Sequence, residues 1–215
     1  MPFPKIIIMA QGGTHGDFLY KSCQIMISDE KENKINSNGK VVEDSIFKKK
    51  NIQFYEKGIK KKIGKDNFSD ACQIEMCHVW YEEFMKWPCR FYYIDFDDSL
   101  IEIIKKMYLE KVCNNDTSIA IKNYIRYLPD NIAKKINLNN FDKIITNSYK
   151  SIRKKYQKQP DAKSINMTDL YSLDKVIDIL KDMEIYNDKK LELLGIFHKD
   201  WIEKNNKWIN IIKNS

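Results

Sequence analysis

Three of the chain's seven glycines fall within five positions, in the run Gln11-Gly12-Gly13-Thr14-His15-Gly16-Asp17. Glycine lets the backbone take positive φ and come close to an anion. Where a helix starts directly afterwards, its first N–H groups are unpaired and its dipole is positive at the same place. Gly12, Gly13 and Gly16 are therefore a candidate phosphate- or sulfate-binding turn. The same spacing also suits a tight strand-to-helix turn with no ligand. No Gly-Lys-Ser/Thr closes the run, so the strict Walker pattern is absent. Thr14 offers a hydroxyl donor. His15 either neutralises charge or caps the helix. Asp17 fits an N-cap better than an anion contact. Lys21, one turn further on, is the cation expected to reach back.

His78 is the candidate general base, because it closes an apolar run and an imidazole titrates near neutrality. The alternative is a half-buried histidine bonded to a carbonyl. Asp95, Asp97 and Asp98 gather before Ser99, where a helix is expected to start, and acidic residues suit that dipole end. Cys72, Cys77 and His78 fit no common zinc spacing, so no metal is expected. The five cysteines form no paired CxxC and read as reduced thiols of a cytoplasmic protein.

The elements that position these residues follow from periodicity. A buried strand is expected over 5–10 and a helix over 17–28. A strand over 71–79 ends at His78, and another covers 90–96. Helices follow over about 100–112, 117–128 and 140–158. A short strand at 164–167 precedes a helix opened by Ser172 or Asp174, and a last helix runs from about 188 to 213. Alternating strands and helices imply a parallel sheet flanked by helices, with ligands outside the strands' carboxyl ends. The expected fold is α/β, a three-layer P-loop-like sheet with a helical C-terminal half. It forms one domain over 1–215, with a basic insertion at about 31–68.

Composition sets the remaining bounds. Hydrophobic residues make up 43%, enough for a sizeable core, and the net charge is +7. Arginine occurs only at 90, 126 and 153, so the positive charge is nearly all lysine. That charge permits an anionic ligand. The lysines at 48–65 lie among aromatics but read as solvated surface, so nucleic acid is not the expected partner. No apolar run reaches the roughly 20 residues of a membrane span, and Met-Pro-Phe-Pro-Lys lacks the pattern of a signal peptide.

The order of these features resembles the sulfotransferases that use 3′-phosphoadenosine 5′-phosphosulfate (PAPS). Gln73-Ile74-Glu75-Met76-Cys77-His78 is similar to the family's apolar run closed by Thr-His. Residues 165–175 resemble its late strand and following helix. Phe197-His198-Lys199-Asp200-Trp201-Ile202-Glu203-Lys204-Asn205 is similar to the terminal segment of distant bacterial and viral members. The resemblance implies a PAPS donor on Gly12, Gly13, Thr14, His15, Gly16 and Asp17, with Ser99 also contacting it. It implies His78 as base toward a hydroxyl acceptor, and Lys21 as the charge-stabilising cation. Gln11 and Gly12 stand where the family's loop usually carries Lys or Arg, and Asp95–Asp98 where it carries an arginine motif. A catalytically degenerate binding protein is therefore the alternative. A nucleotide-dependent phosphotransferase using Asp95, Asp97 or Asp98 for magnesium is a third reading.

Overall fold

The computed structural model describes residues 6–28, 74–77, 89–125, 133–159 and 161–215. The basic insertion and its lysines at 48–65 fall outside these residues, as does His78.

Four parallel strands form one sheet in the order β2-β1-β3-β4: β1 (Ile6–Met9), β2 (Ile74–Cys77), β3 (Arg90–Asp95) and β4 (Ala162–Asn166). All four residues of β1 are buried. That explains its unbroken apolar run, since a strand covered on both faces has no polar side to show. Burying each such side chain contributes about 1.5–3 kcal/mol.

The helices are α1 (Gly16–Ile27), α2 (Ile101–Cys113), α3 (Thr117–Ile125), α4 (Phe141–Gln157), α5 (Leu173–Asp182) and α6 (Leu191–Lys213). Adjacent side chains on β3 meet different helices. Tyr93 lies against Tyr156 of α4, at a ring separation of 5.8 Å. The Tyr92 hydroxyl instead donates to the Asp182 carboxylate at the end of α5, at 3.0 Å. This alternation is the period of two expected of a strand.

Among the described residues, element type and order agree with the sequence reading. Besides 3-10 turns at Met167–Tyr171 and Asp188–Lys190, two details differ. A 3-10 turn at Asp98–Leu100 precedes α2, and Asp97 caps it by accepting from the Ser99 N–H at 2.8 Å. The late strand begins at Ala162, not 164, because it extends to pair with Phe91 of β3.

From β1 the chain goes to β2 on one side; from β3 it goes to β4 on the other. The carboxyl ends of the adjacent β1 and β3 therefore flank a topological switch point, where open α/β sheets bind ligands. Helix α2 packs there against α3, α4 and α6.

Gly195 lies inside α6, and a Cβ added there meets nothing closer than 3.8 Å, at Leu173. Alanine in place of a mid-helix glycine is favoured by about 0.8–1 kcal/mol. Gly195→Ala is expected to raise the urea midpoint accordingly; an unchanged or lower midpoint would mean that α6 needs the glycine for another reason.

Candidate functional site

The glycine run forms the tight turn expected of it. The Thr14 N–H and hydroxyl both reach back to the Gln11 carbonyl, at 3.1 and 2.7 Å. Gly13 takes φ +82° and His15 φ 63°, and α1 starts at Gly16. A second set of bonds ties the turn to α4. Gln11 Nε2 donates to the Tyr149 carbonyl at 3.0 Å, and the Tyr149 hydroxyl donates to the Gly12 carbonyl at 2.6 Å.

Each glycine also has a packing reason. A Cβ on Gly12 would come within 2.8 Å of the Tyr108 ring. One on Gly13 would stand 2.7 Å from the Ile104 carbonyl oxygen, and one on Gly16 2.2 Å from the Ala10 Cβ. The missing side chains thus seat α2 over the turn and α1 against β1.

A cavity of about 510 Å³ opens beside the turn. Gly12, Gly13, His15, Gly16 and Asp17 line it on one side; Tyr108 and Lys111 of α2, Tyr149 of α4 and Trp201 of α6 line it on others. Among the described residues, the N–H groups of Gly13, His15, Gly16 and Asp17 meet no acceptor. The first turn of α1 therefore brings unpaired donors to the cavity wall, as helix N-termini do.

Lys111 supplies the cation. It is exposed overall, yet its ammonium donates to the side-chain oxygen of the buried Asn205. Partial desolvation lowers its pKa, with Glu110 opposing. The Glu110 carboxylate itself accepts from Lys207 at 2.6 Å and from the Trp208 indole at 3.2 Å.

His15 sits between aromatic edges, with ring centroids 5.0 Å from Trp201 and 5.7 Å from Tyr171. Burial pushes its pKa down to about 3, and Lys111 adds to the shift. Its Nε2 is buried and has no hydrogen-bond partner among the described residues.

The structure places the other expected site residues as follows. Thr14 is fully buried and spends its hydroxyl inside the turn, so it does not face the cavity. His15 is neutral at physiological pH and cannot offset an anion's charge. It occupies the N-cap position, but its side chain makes no capping bond. Asp17 is not the cap either; it is an exposed carboxylate in the first turn of α1. Lys21 lies on α1, away from the cavity wall. Ser99 is exposed, bonded through its N–H to Asp97, and also outside that wall. Gly12, Gly13 and Gly16 do line the cavity.

The acidic turn has a partner in Arg153 of α4. Its Nε lies 2.5 Å from Asp95 and its Nη1 2.6 Å from Asp98. These pairs explain the turn's acidity without a bound cation. Among the described residues no group of three or more His, Cys, Asp or Glu could hold a metal ion.

Cys77 of β2 is in register with Met9, at the carboxyl edge where the turn lies. His78 follows at once, outside the described residues. No helix among the described residues is long and apolar enough to cross a membrane.

Lys111, Tyr108, Tyr149 and Trp201 were not legible as site residues. Nothing in sequence links positions 12, 108, 149 and 201; only the packing of three helices over the turn does. Comparison of the chain with protein-family models, curated proteins and solved structures finds no match.

Proposed function

We propose that this protein is a P-loop-like, three-layer relative of the PAPS-dependent sulfotransferases, whose cavity receives an anionic nucleotide. The observation that carries this reading is a single wall. Amides of the glycine turn that meet no acceptor among the described residues, the Lys111 ammonium and the rings of Tyr108, Tyr149 and Trp201 border the same space. A phosphosulfate at the turn would accept from the amides and from Lys111. The flat rings suit a nucleobase.

In the transfer step, an acceptor hydroxyl oxygen forms a bond to sulfur. The bond from sulfur to the bridging phosphate oxygen breaks, and adenosine 3′,5′-bisphosphate leaves. The hydroxyl proton passes to His78. Lys111 takes the part first assigned to Lys21, stabilising charge on the bridging oxygen.

A second reading, a binding protein that has lost transfer activity, is favoured by two observations. Arg153 is committed to Asp95 and Asp98, in the place where the family holds the 3′-phosphate. Asp17 adds a negative charge at the helix terminus.

Thermal-shift measurements separate the readings. Ligand at 100 times its dissociation constant stabilises by about 2.7 kcal/mol, which is about 5–10 °C in a chain of this size. Adenosine 3′,5′-bisphosphate is expected to give such a shift, and Lys111→Ala to abolish it. A shift with ATP and magnesium alone would favour a phosphotransferase. No shift with any nucleotide would remove the nucleotide reading. His78→Ala that keeps the shift but loses sulfuryl transfer would support the active form.

A further inference from the structure

The charge of this chain is segregated. Residues 133–159 hold eight cations and one carboxylate, Asp142, an excess of seven. Residues 48–65 hold the same excess, eight lysines against Glu56, so the rest of the chain, which totals +7 overall, sums to −7 outside these two segments. The positive charge is thus gathered in two segments, of which 133–159, helix α4 and its approach, is the one among the described residues.

The structure also separates the bound cations from the free ones. Asp142 is taken by Lys105 of α2, at 2.6 Å, and Arg153 by Asp95 and Asp98. Lys143, Lys150, Lys154, Lys155 and Lys158 are exposed, and none makes an ion pair among the described residues. At 100° per residue, Lys143, Lys150, Lys154 and Lys158 lie along one stripe of the helix. Ile145, Tyr149 and Ile152, which line the cavity, project to the opposite side. From Lys143 to Lys154 the stripe is about 16 Å long.

We propose that this face of α4 docks on the phosphate backbone of duplex nucleic acid, independently of sequence. Three features select that occupant. The apolar face of α4 is consumed by the core through Phe141, Ile145, Tyr149 and Tyr156, so the helix has nothing left to insert into a bilayer. The stripe carries no aromatic ring on which an unpaired base could stack. It carries no arginine fork for reading base edges. What remains is a straight row of point charges, suited to neutralising phosphates.

The test is fluorescence anisotropy with a labelled 20-base-pair DNA duplex between 50 and 200 mM salt. Each phosphate neutralised contributes about −0.9 to the slope of log K against log salt, so five lysines predict about −4.5. Lys143→Gln/Lys150→Gln/Lys154→Gln/Lys158→Gln is expected to weaken binding about tenfold or more at 100 mM and to flatten the slope by about 3.6. All four side chains are exposed, and an unchanged melting temperature will show that the variant folds. Lys122→Gln/Lys175→Gln/Lys199→Gln/Lys213→Gln changes the charge equally on other faces and is expected to bind within threefold of the parent. Equal loss in both variants would overturn the proposal in favour of diffuse charge. So would no binding by the parent at 50 mM, or binding to phosphatidylserine vesicles but not to the duplex.

Discussion

Gly16→Val is expected to unfold the protein well before it affects any ligand. The missing side chain at Gly16 is where α1 meets β1: an added Cβ would lie 2.2 Å from the Ala10 Cβ. Gly16 opens α1 and Ala10 directly follows the last residue of β1, and both are buried. Neither can swing aside as the tip of a long side chain could. Overpacking of this kind costs about 1–3 kcal/mol for a few extra methylenes, and more where backbone must move. Separating α1 from β1 would also disturb Phe18, Leu19 and Cys23, which pack in the same core. We expect a loss of about 4 kcal/mol, near the upper end of single-substitution effects. In a chain of this length that lowers the melting temperature by about 8–16 °C. Circular dichroism against temperature reads it directly. If Gly16→Val melts within about 2 °C of the parent, the contact is softer than its geometry implies and the glycine is free to act on a ligand. Gly13 has a different constraint, its positive φ beside the Ile104 carbonyl.

Acid is expected to destabilise the fold through His15 before the carboxylates begin to protonate. In the folded chain burial holds His15 at about pH 3; unfolded, an imidazole titrates near 6.5. Below about pH 6.5 the unfolded chain takes up a proton that the folded one refuses, so stability falls as pH falls. The contribution is complete above the unfolded value. It declines by up to about 1.4 kcal/mol per pH unit until the folded value is reached. Between pH 6.5 and 5 the loss is about 2 kcal/mol.

His198 acts with the same sign. Burial lowers its pKa too, and the bond between its Nε2 and the Leu170 carbonyl opposes that shift. His15→Asn isolates the larger effect. Asparagine tolerates the left-handed backbone at this position, and it does not titrate. The variant's urea midpoint will be lower at neutral pH, because contacts to Trp201 and Tyr171 are lost. The informative quantity is its slope between pH 6.5 and 5, expected to be much flatter than the parent's. An equally steep decline would assign the acid sensitivity to His198 or to groups outside the described residues.

A neutral His15 also bears on function. In the proposed nucleotide reading, the counter-charge for the anion therefore falls to Lys111 and not to His15. The reason lies in burial by Trp201 and Tyr171, residues far along the chain whose proximity no local pattern encodes.

By itself the sequence determined the elements and their order. An uninterrupted apolar run must be buried on both faces, as β1 is. Periodicity near 3.6 laid out the helices, and three glycines between β1 and α1 marked the turn. These are local properties, set by backbone sterics and by side-chain spacing along one segment. The tertiary structure alone decided which groups share the cavity. Thr14 turned inward because its hydroxyl found the Gln11 carbonyl three residues back. Tyr149 and Gln11 joined across 138 positions, and Lys111 came over the turn because α2 packs on α3, α4 and α6 at the sheet's carboxyl edge. Arg153 found Asp95 and Asp98 in the same way. Such pairings depend on how helices stack after leaving the sheet. That stacking is fixed by the sum of many weak, non-directional apolar contacts, none of which leaves a spacing to read in one dimension.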